Sequence, residues 1–456
     1  MFGPGESSIV VECASSSTCT LIHSILTSLI LFVVLLTGFA YTTVLERRFL
    51  AFLQARIGPN RAGPYGLLQP VADGIKLIFK EDVTPAHAQK VVFWIAPIVK
   101  TVPALIVLAV VPFGPKIAVP WFDGKWYRLS QGLVDVNVGV LWLLGITSIG
   151  IYGIVLAGWS SNNKYAMLGG LRSSAQMVSY ELSMGLAMVV PVMLAGSMSV
   201  GDIIEAQNET PILGWFVFRN PMAAAIMAVA LLAEVNRAPF DMPEAEQELT
   251  AGYHSEYSGM KFAMFYLAEY IGMIAVSAVG AAMYFGGYHF FLVDKAPLLG
   301  PLVYGLKVVI LLIVMIWVRG TLPRIRYDRL MAFGWKVMLP LSLVAVAWTA
   351  VAVVLEETYG SQAMVIMSLV AWVLFLVGAA YWLERVGRKP EPVTPQRVEV
   401  VSLSGDSGVG LLTMHAIDKM LGVPVALSRV VTGKGSGDSR ETLSTEAERS
   451  KGSRRD

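Results

Sequence analysis

Long stretches without a single Asp, Glu, Lys or Arg constrain this chain more than any motif in it. Residues 13–45, 136–163, 182–201, 220–233, 270–293, 337–355 and 358–383 contain none of the four. A helix of ~20 apolar residues crosses the hydrocarbon core of a bilayer, and most of these runs reach that length. In lipid, every backbone N–H and C=O must be satisfied internally, so a bundle of helices is the expected solution. Only 15% of the residues are charged, against about 25% in a soluble domain.

The chain therefore reads as all-α, a polytopic transmembrane helical bundle. With spans interrupted by one charge included, nine helices are expected, near 21–45, 93–113, 136–158, 175–197, 219–236, 262–286, 300–319, 337–355 and 364–383. The segment Leu67–Ile78 has a different pattern. At ~100° per residue, Leu67, Leu68, Val71, Ile75 and Ile78 share one arc. Asp73, Lys76 and Lys80 lie opposite, and Leu77 is the one apolar residue out of place. This is an amphipathic helix for the inner membrane interface. It would either frame a lateral opening for a lipid-like substrate or simply tether the basic loop before it.

Basic residues orient the bundle. Arg47, Arg48, Arg56 and Arg61 follow the first span, and Lys164 and Arg172 the third. Arg319, Arg324, Arg326, Arg329 and Lys336 follow the seventh, and Arg385, Arg388 and Lys389 the ninth. The loops 198–218 and 356–363 are acidic instead. The expected arrangement in the cell membrane has the N-terminus outside and the C-terminus in the cytoplasm. Three regions follow: an outer N-terminal segment, 1–20; the bundle, 21–383; and a cytoplasmic tail, 384–456. The tail carries twelve basic and ten acidic residues and a Gly/Ser-rich end, so it reads as solvated and largely disordered. Its GDSGVG, at 405–410, lacks the strand and helix that a nucleotide loop requires and reads as linker. The first span has no basic n-region before it and no A-x-A-like site after it, so it is read as retained.

Other classes are disfavoured. Cys13 and Cys19 both fall in the outer segment, where a disulfide and two free thiols are equally open readings. Two cysteines are too few for this chain to hold an iron–sulfur cluster by itself, and no metal site is expected. A net charge of +2 gives no sign of a nucleic-acid partner.

The chemistry is concentrated between Glu234 and Glu256. Six carboxylates stand there, Glu234, Asp241, Glu244, Glu246, Glu248 and Glu256, with Arg237 as their fixed counter-charge. Like charges repel and low dielectric disfavours the ionised form, so such a segment at a membrane edge suggests proton handling. Glu181 and Glu269 add carboxylates inside the fourth and sixth spans, and a hydrated path into the bundle is the natural reading. Glu244, Glu246 and Glu248 alternate, so an irregular backbone is needed to aim them at one cavity. Pro239 and Pro243 favour that irregularity; the competing reading is an acidic surface for a basic partner. Lys100 and Lys307 also lie within spans, and Lys100 is the better candidate for snorkelling to an interface.

Four stretches carry a resemblance: ERRFLAFLQARIGPNRAGPYGLLQPVADGIKLIFKE from Glu46, NNKYAMLGGLRSSAQMVSYE ending at Glu181, AEVNRAPFDMPEAEQELTAGYHSEYSGMKFAMFYLAEY from Ala233, and WVRGTLPRIRYDRLMAFGWKVMLPLSL from Trp317. The chain resembles the membrane-embedded H subunit of respiratory complex I, the NADH:quinone oxidoreductase, over roughly residues 21–355. The ninth helix and the tail depart from that pattern. The resemblance implies a quinone chamber lined or gated by Glu46, Arg47, Arg56 and Asp73, with Arg319 and Arg324 nearby. It implies an acidic connection through Glu181, Glu234, Asp241, Glu244, Glu246, Glu248, Glu256 and Glu269 toward proton-pumping partners. Quinone is then the substrate, this chain binds no cofactor alone, and FMN and iron–sulfur clusters belong to partner subunits. A membrane-bound hydrogenase subunit, a stand-alone proton-coupled transporter and a structural anchor are the alternatives.

Overall fold

Eight helices among the described residues are long and apolar enough to cross a membrane. The computed structural model describes residues 10–13, 17–120, 126–208, 210, 212–241, 252–291, 293 and 296–387. Its long helices are α1 (Ser17–Leu53), α2 (Gln69–Phe79), α3 (Lys90–Ile106), α4 (Gly139–Ser160), α5 (Lys164–Ala195), α6 (Pro221–Glu234), α7 (Gly259–Tyr284), α8 (Gly300–Thr321), α9 (Leu339–Tyr359) and α10 (Ser361–Gly387). The all-α reading holds, with one small β element among the described residues. Strands β1 (Val10–Glu12), β2 (Ile117–Pro120) and β3 (Trp126–Leu129) form a sheet in the order β1-β3-β2. The β1–β3 pair is parallel and the β2–β3 pair antiparallel. Directly after β1, Cys13 and Cys19 form a disulfide with their Cα atoms 5.6 Å apart, which decides between the two cysteine readings.

The fifth expected span is the exception to the count of nine. Helix α6 has only 14 residues, about 21 Å at 1.5 Å per residue. It starts at Pro221, whose fixed φ suits a first helical position, and the Asn220 side chain caps it by accepting from the Ala223 N–H at 3.0 Å. It stops because Asn236 takes a left-handed φ of 54° and Pro239 has no N–H to continue the ladder. The unwound chain is held by Gln176 of α5, whose amide donates to Phe240 O at 2.8 Å and to Ala233 O at 3.1 Å. Irregular backbone inside a helical bundle is tolerated where protein or a cavity surrounds it, and Val235 and Asn236 line such a cavity.

Small residues bring the other helices close. A Cβ on Gly153 of α4 would lie 2.7 Å from the Lys100 backbone nitrogen, so α3 and α4 touch nearly backbone to backbone there. Gly169 of α5 meets Gly252 in the same way.

Helix α2 confirms its amphipathic reading. Leu67 and Leu68, just before it, and Val71, Ile75 and Ile78 within it are exposed. Asp73 and Leu77 turn toward α1 and α7, where both line a cavity, so Leu77 has a partner surface of its own. Helix α10 packs against the segment before α6: the Trp372 indole donates to Phe218 O at 3.0 Å and its ring stacks on Phe218.

Candidate functional site

Glu46 is the centre of a buried ion network. It lies in α1 with 3% of its side chain exposed, and three neighbours from distant parts of the chain converge on it. Arg319, in the last turn of α8, donates to Glu46 Oε1. Arg237, in the unwound chain after α6, places Nη1 3.5 Å from the same oxygen. Tyr270 of α7 donates its hydroxyl to Oε2 at 2.6 Å. Arg237 also sets Nε 2.6 Å from Glu269 Oε1, and its guanidinium lies over the Tyr270 ring, 4.5 Å from the centroid. Two carboxylates thus face two guanidiniums. Buried charges persist when paired and hydrogen-bonded in this way, and removing one partner strands the other.

On one side of the network lies an interior cavity of about 80 Å³, room for a few waters. Lys100, Glu234, Glu269, Asn236 and Thr147 line it together with apolar side chains such as Met184 and Leu231. Glu234 Oε2 is buried with no hydrogen-bond partner among the described residues, and a buried polar atom of that kind calls for water or a transferable proton. Glu234 has Lys100 and Glu181 as charged neighbours, and Lys100 has Glu234 and Glu269. Ser148 of α4 donates to Glu181 Oε1. His254, in the turn before α7, is buried against Tyr253 and Phe265. Burial, followed by the charge of Lys100, pushes its imidazole down to about 3.

On the other side lies a cavity of about 230 Å³ between α1, α2 and α7. Phe39, Ala40, Leu77, Met264 and Leu267 make it apolar, while Asp73 and Tyr266 give it a polar edge. Arg47 pairs with Asp73 at 2.7 Å, Lys76 lies 3.6 Å from the same carboxylate, and Gln69 donates to it at 3.2 Å. The hydroxyls of Tyr266 and Tyr270 are 2.9 Å apart. A continuous line of polar contacts therefore runs from the apolar cavity to the interior one, through Tyr266, Tyr270, Glu46, Arg237 and Glu269.

The expected site residues separate into groups. Glu46 and Arg319 meet, Arg47 and Asp73 meet, Glu234 and Glu269 line the interior cavity, and Glu181 is a charged neighbour of Glu234. Arg56 is exposed and donates to Gln54, and Arg324 is exposed. Glu256 belongs elsewhere: it accepts from Asn163 at 2.6 Å and lines a separate cavity of about 330 Å³ with His87 and Lys164. Asp241 is half-buried, and Glu244, Glu246 and Glu248 lie outside the described residues. Lys100 faces the interior cavity rather than snorkelling. Tyr266, Tyr270, Ser148 and His254 were not singled out from sequence. The tyrosines had a usable signal, since residues i and i+4 share a helix face and Glu269 adjoins the second.

Residues 26–350 match the family model described as NADH dehydrogenase. The chain is 48% identical over 322 residues to the second H subunit of the NADH-quinone oxidoreductase of Syntrophobacter fumaroxidans, an alignment covering 70% of this chain and 92% of that protein. It is 48% identical over 335 residues to the first H subunit of the same enzyme in Geobacter sulfurreducens, covering 72% and 94%. It is 47% identical over 319 residues to the H subunit in Protochlamydia amoebophila, covering 69% and 92%. The match to the family model ends before α10.

Proposed function

Because this chain belongs to the NADH dehydrogenase family, and is a multi-pass membrane subunit of the NADH-quinone oxidoreductase complex, we propose that the apolar cavity admits quinone and the interior cavity passes protons. The carrying observation is the line of contacts between them, from Tyr266 through Tyr270, Glu46 and Arg237 to Glu269.

The cavity between α1, α2 and α7 suits a neutral amphiphile. Its walls are apolar, and the Arg47–Asp73 pair compensates its own charge. Quinone reduction takes up two electrons, delivered from flavin and iron–sulfur clusters in partner subunits, and two protons. A proton drawn from the tyrosine end changes the balance at Glu46. Arg237 is placed to respond, because one guanidinium is shared between Glu46 at 3.5 Å and Glu269 at 2.6 Å. A stronger pull from Glu46 loosens Arg237 from Glu269, which then exchanges a proton with the cavity holding Lys100 and Glu234. Charge shifts through such coupled carboxylates belong to the group rather than to one residue.

The proposed proton path continues through Glu181 and the acidic segment of Asp241, Glu244, Glu246, Glu248 and Glu256 toward the pumping subunits of the membrane arm. Arg56 and Arg324, exposed in this chain, would face the peripheral-arm subunits that complete the quinone site. The N-terminus is placed outside, where a disulfide between Cys13 and Cys19 suits an oxidising compartment, and the C-terminus inside. The tail 384–456 is a cytoplasmic extension in this reading.

The test is proton translocation by the assembled complex in proteoliposomes carrying Glu269→Gln. The expected result is fewer protons moved per NADH oxidised, with quinone still reduced. Wild-type stoichiometry and rate together would refute the role of Glu269.

A further inference from the structure

Two cavities flank α1 beside the surface helix, and they differ in charge. Arg47 and Arg48 are consecutive, so their side chains leave the helix about 100° apart. Arg47 turns to the side where Asp73 neutralises it at 2.7 Å. Arg48 turns the other way and lines an open groove of about 410 Å³. Val44, Leu45 and Phe49 of α1, Leu67 ahead of α2, and Ile313 of α8 form its apolar walls, with Tyr41 beside them. Among the described residues no carboxylate lines this groove, and Arg48 has no ion-pair or hydrogen-bond partner among them.

We propose that the groove binds an anionic phospholipid, its phosphate at Arg48 and an acyl chain along the wall from Val44 to Ile313. The apolar trough takes hydrocarbon, and the guanidinium fork matches the geometry and charge of a phosphate. A neutral amphiphile leaves Arg48 uncompensated, and a zwitterionic headgroup brings a second cation beside it. The level is also right for a headgroup. The exposed apolar residues Leu67, Leu68, Val71, Ile75 and Ile78 form a face suited to the membrane interface, and Leu67 shares the groove with Arg48. The two sides of α1 thus differ in what their cations meet: Arg47 and Lys76 share the Asp73 carboxylate, whereas Arg48 has no carboxylate among the described residues of its groove.

The test uses the complete complex in phosphatidylcholine nanodiscs doped with photoactivatable phosphatidylglycerol, or with photoactivatable phosphatidylcholine of the same acyl chain. Labelled positions are mapped by peptide mass spectrometry. Phosphatidylglycerol is expected to label residues 41–49 and the Ile313 peptide on the order of fivefold more than phosphatidylcholine, as one interfacial charge predicts. Arg48→Gln should remove that preference, and Arg48→Lys should retain it. Ile313→Trp, which fills the trough without touching the charge, should reduce labelling by both lipids. Equal labelling by the two lipids in wild type overturns the proposal, as does a preference that survives in Arg48→Gln. So does protection of these peptides from both lipids, which would mean that a neighbouring subunit covers the groove. If Arg48→Gln does not assemble, the wild-type ratio and the other two variants still decide.

Discussion

The Tyr270 hydroxyl donates to Glu46 Oε2 at 2.6 Å, joining α7 to α1 across 224 residues of sequence. This bond is one step of the line of polar contacts between the two cavities. Tyr266 reaches the network through it, and Arg237 stacks on the ring that carries it.

Tyr270→Phe keeps the ring and removes the hydroxyl. A hydrogen bond to a charged group contributes about 1.5–3 kcal/mol, so quinone reductase turnover should fall on the order of tenfold or more. NADH oxidation with an artificial electron acceptor, which bypasses the quinone site, should stay at the wild-type rate. A variant with unchanged quinone turnover would show that the bond is only structural.

Lys100→Met leaves Glu234 and Glu269 around the interior cavity without their shared cation. Removing one member of a buried charged group strands its partner: Glu234 loses its cationic neighbour, while Glu269 keeps Arg237. Proton translocation should fall more than quinone reduction. Parallel measurements of dye-reported acidification and NADH consumption in proteoliposomes check this, and an equal fall in both would point to assembly instead.

His254 carries a pH prediction. Its pKa in the folded chain, about 3, lies below the ordinary histidine value of about 6.5. As pH falls, the unfolded chain therefore binds the proton first. The stability contributed by neutral His254 is complete above about pH 6.5 and is lost progressively toward pH 3. His254→Gln should flatten the acid loss of thermal stability of the purified complex across that window. At pH 6.5–8 its activity profile should overlay that of the wild type, whereas a displaced profile there would mean that His254 exchanges protons during turnover.

Gly153→Val tests the contact between α3 and α4. The new side chain would begin 2.7 Å from the Lys100 backbone nitrogen, and overpacking of this kind costs about 1–3 kcal/mol. The yield of assembled complex and its melting temperature should both drop. Wild-type values for the two would mean that the helices can separate without penalty.

Much of the architecture was legible in the sequence, for a local reason. Uncharged runs and the period of α2 are properties of neighbouring residues, and lipid leaves helices as the way to satisfy their backbone. By itself the sequence determined the all-α bundle, the amphipathic surface helix, and the presence of carboxylates at Glu181, Glu234 and Glu269 within it. The tertiary structure decided that the fifth helix stops at Glu234, that Cys13 meets Cys19, and that Lys100 points inward. It also decided that Tyr270 and Arg237 reach Glu46 while Arg56 and Glu256 do not. Those outcomes depend on the rotation of each helix and on how closely the pairs approach at Gly153 and Gly169. Both are set by the packing of segments far apart in the chain, which no local pattern of residues records.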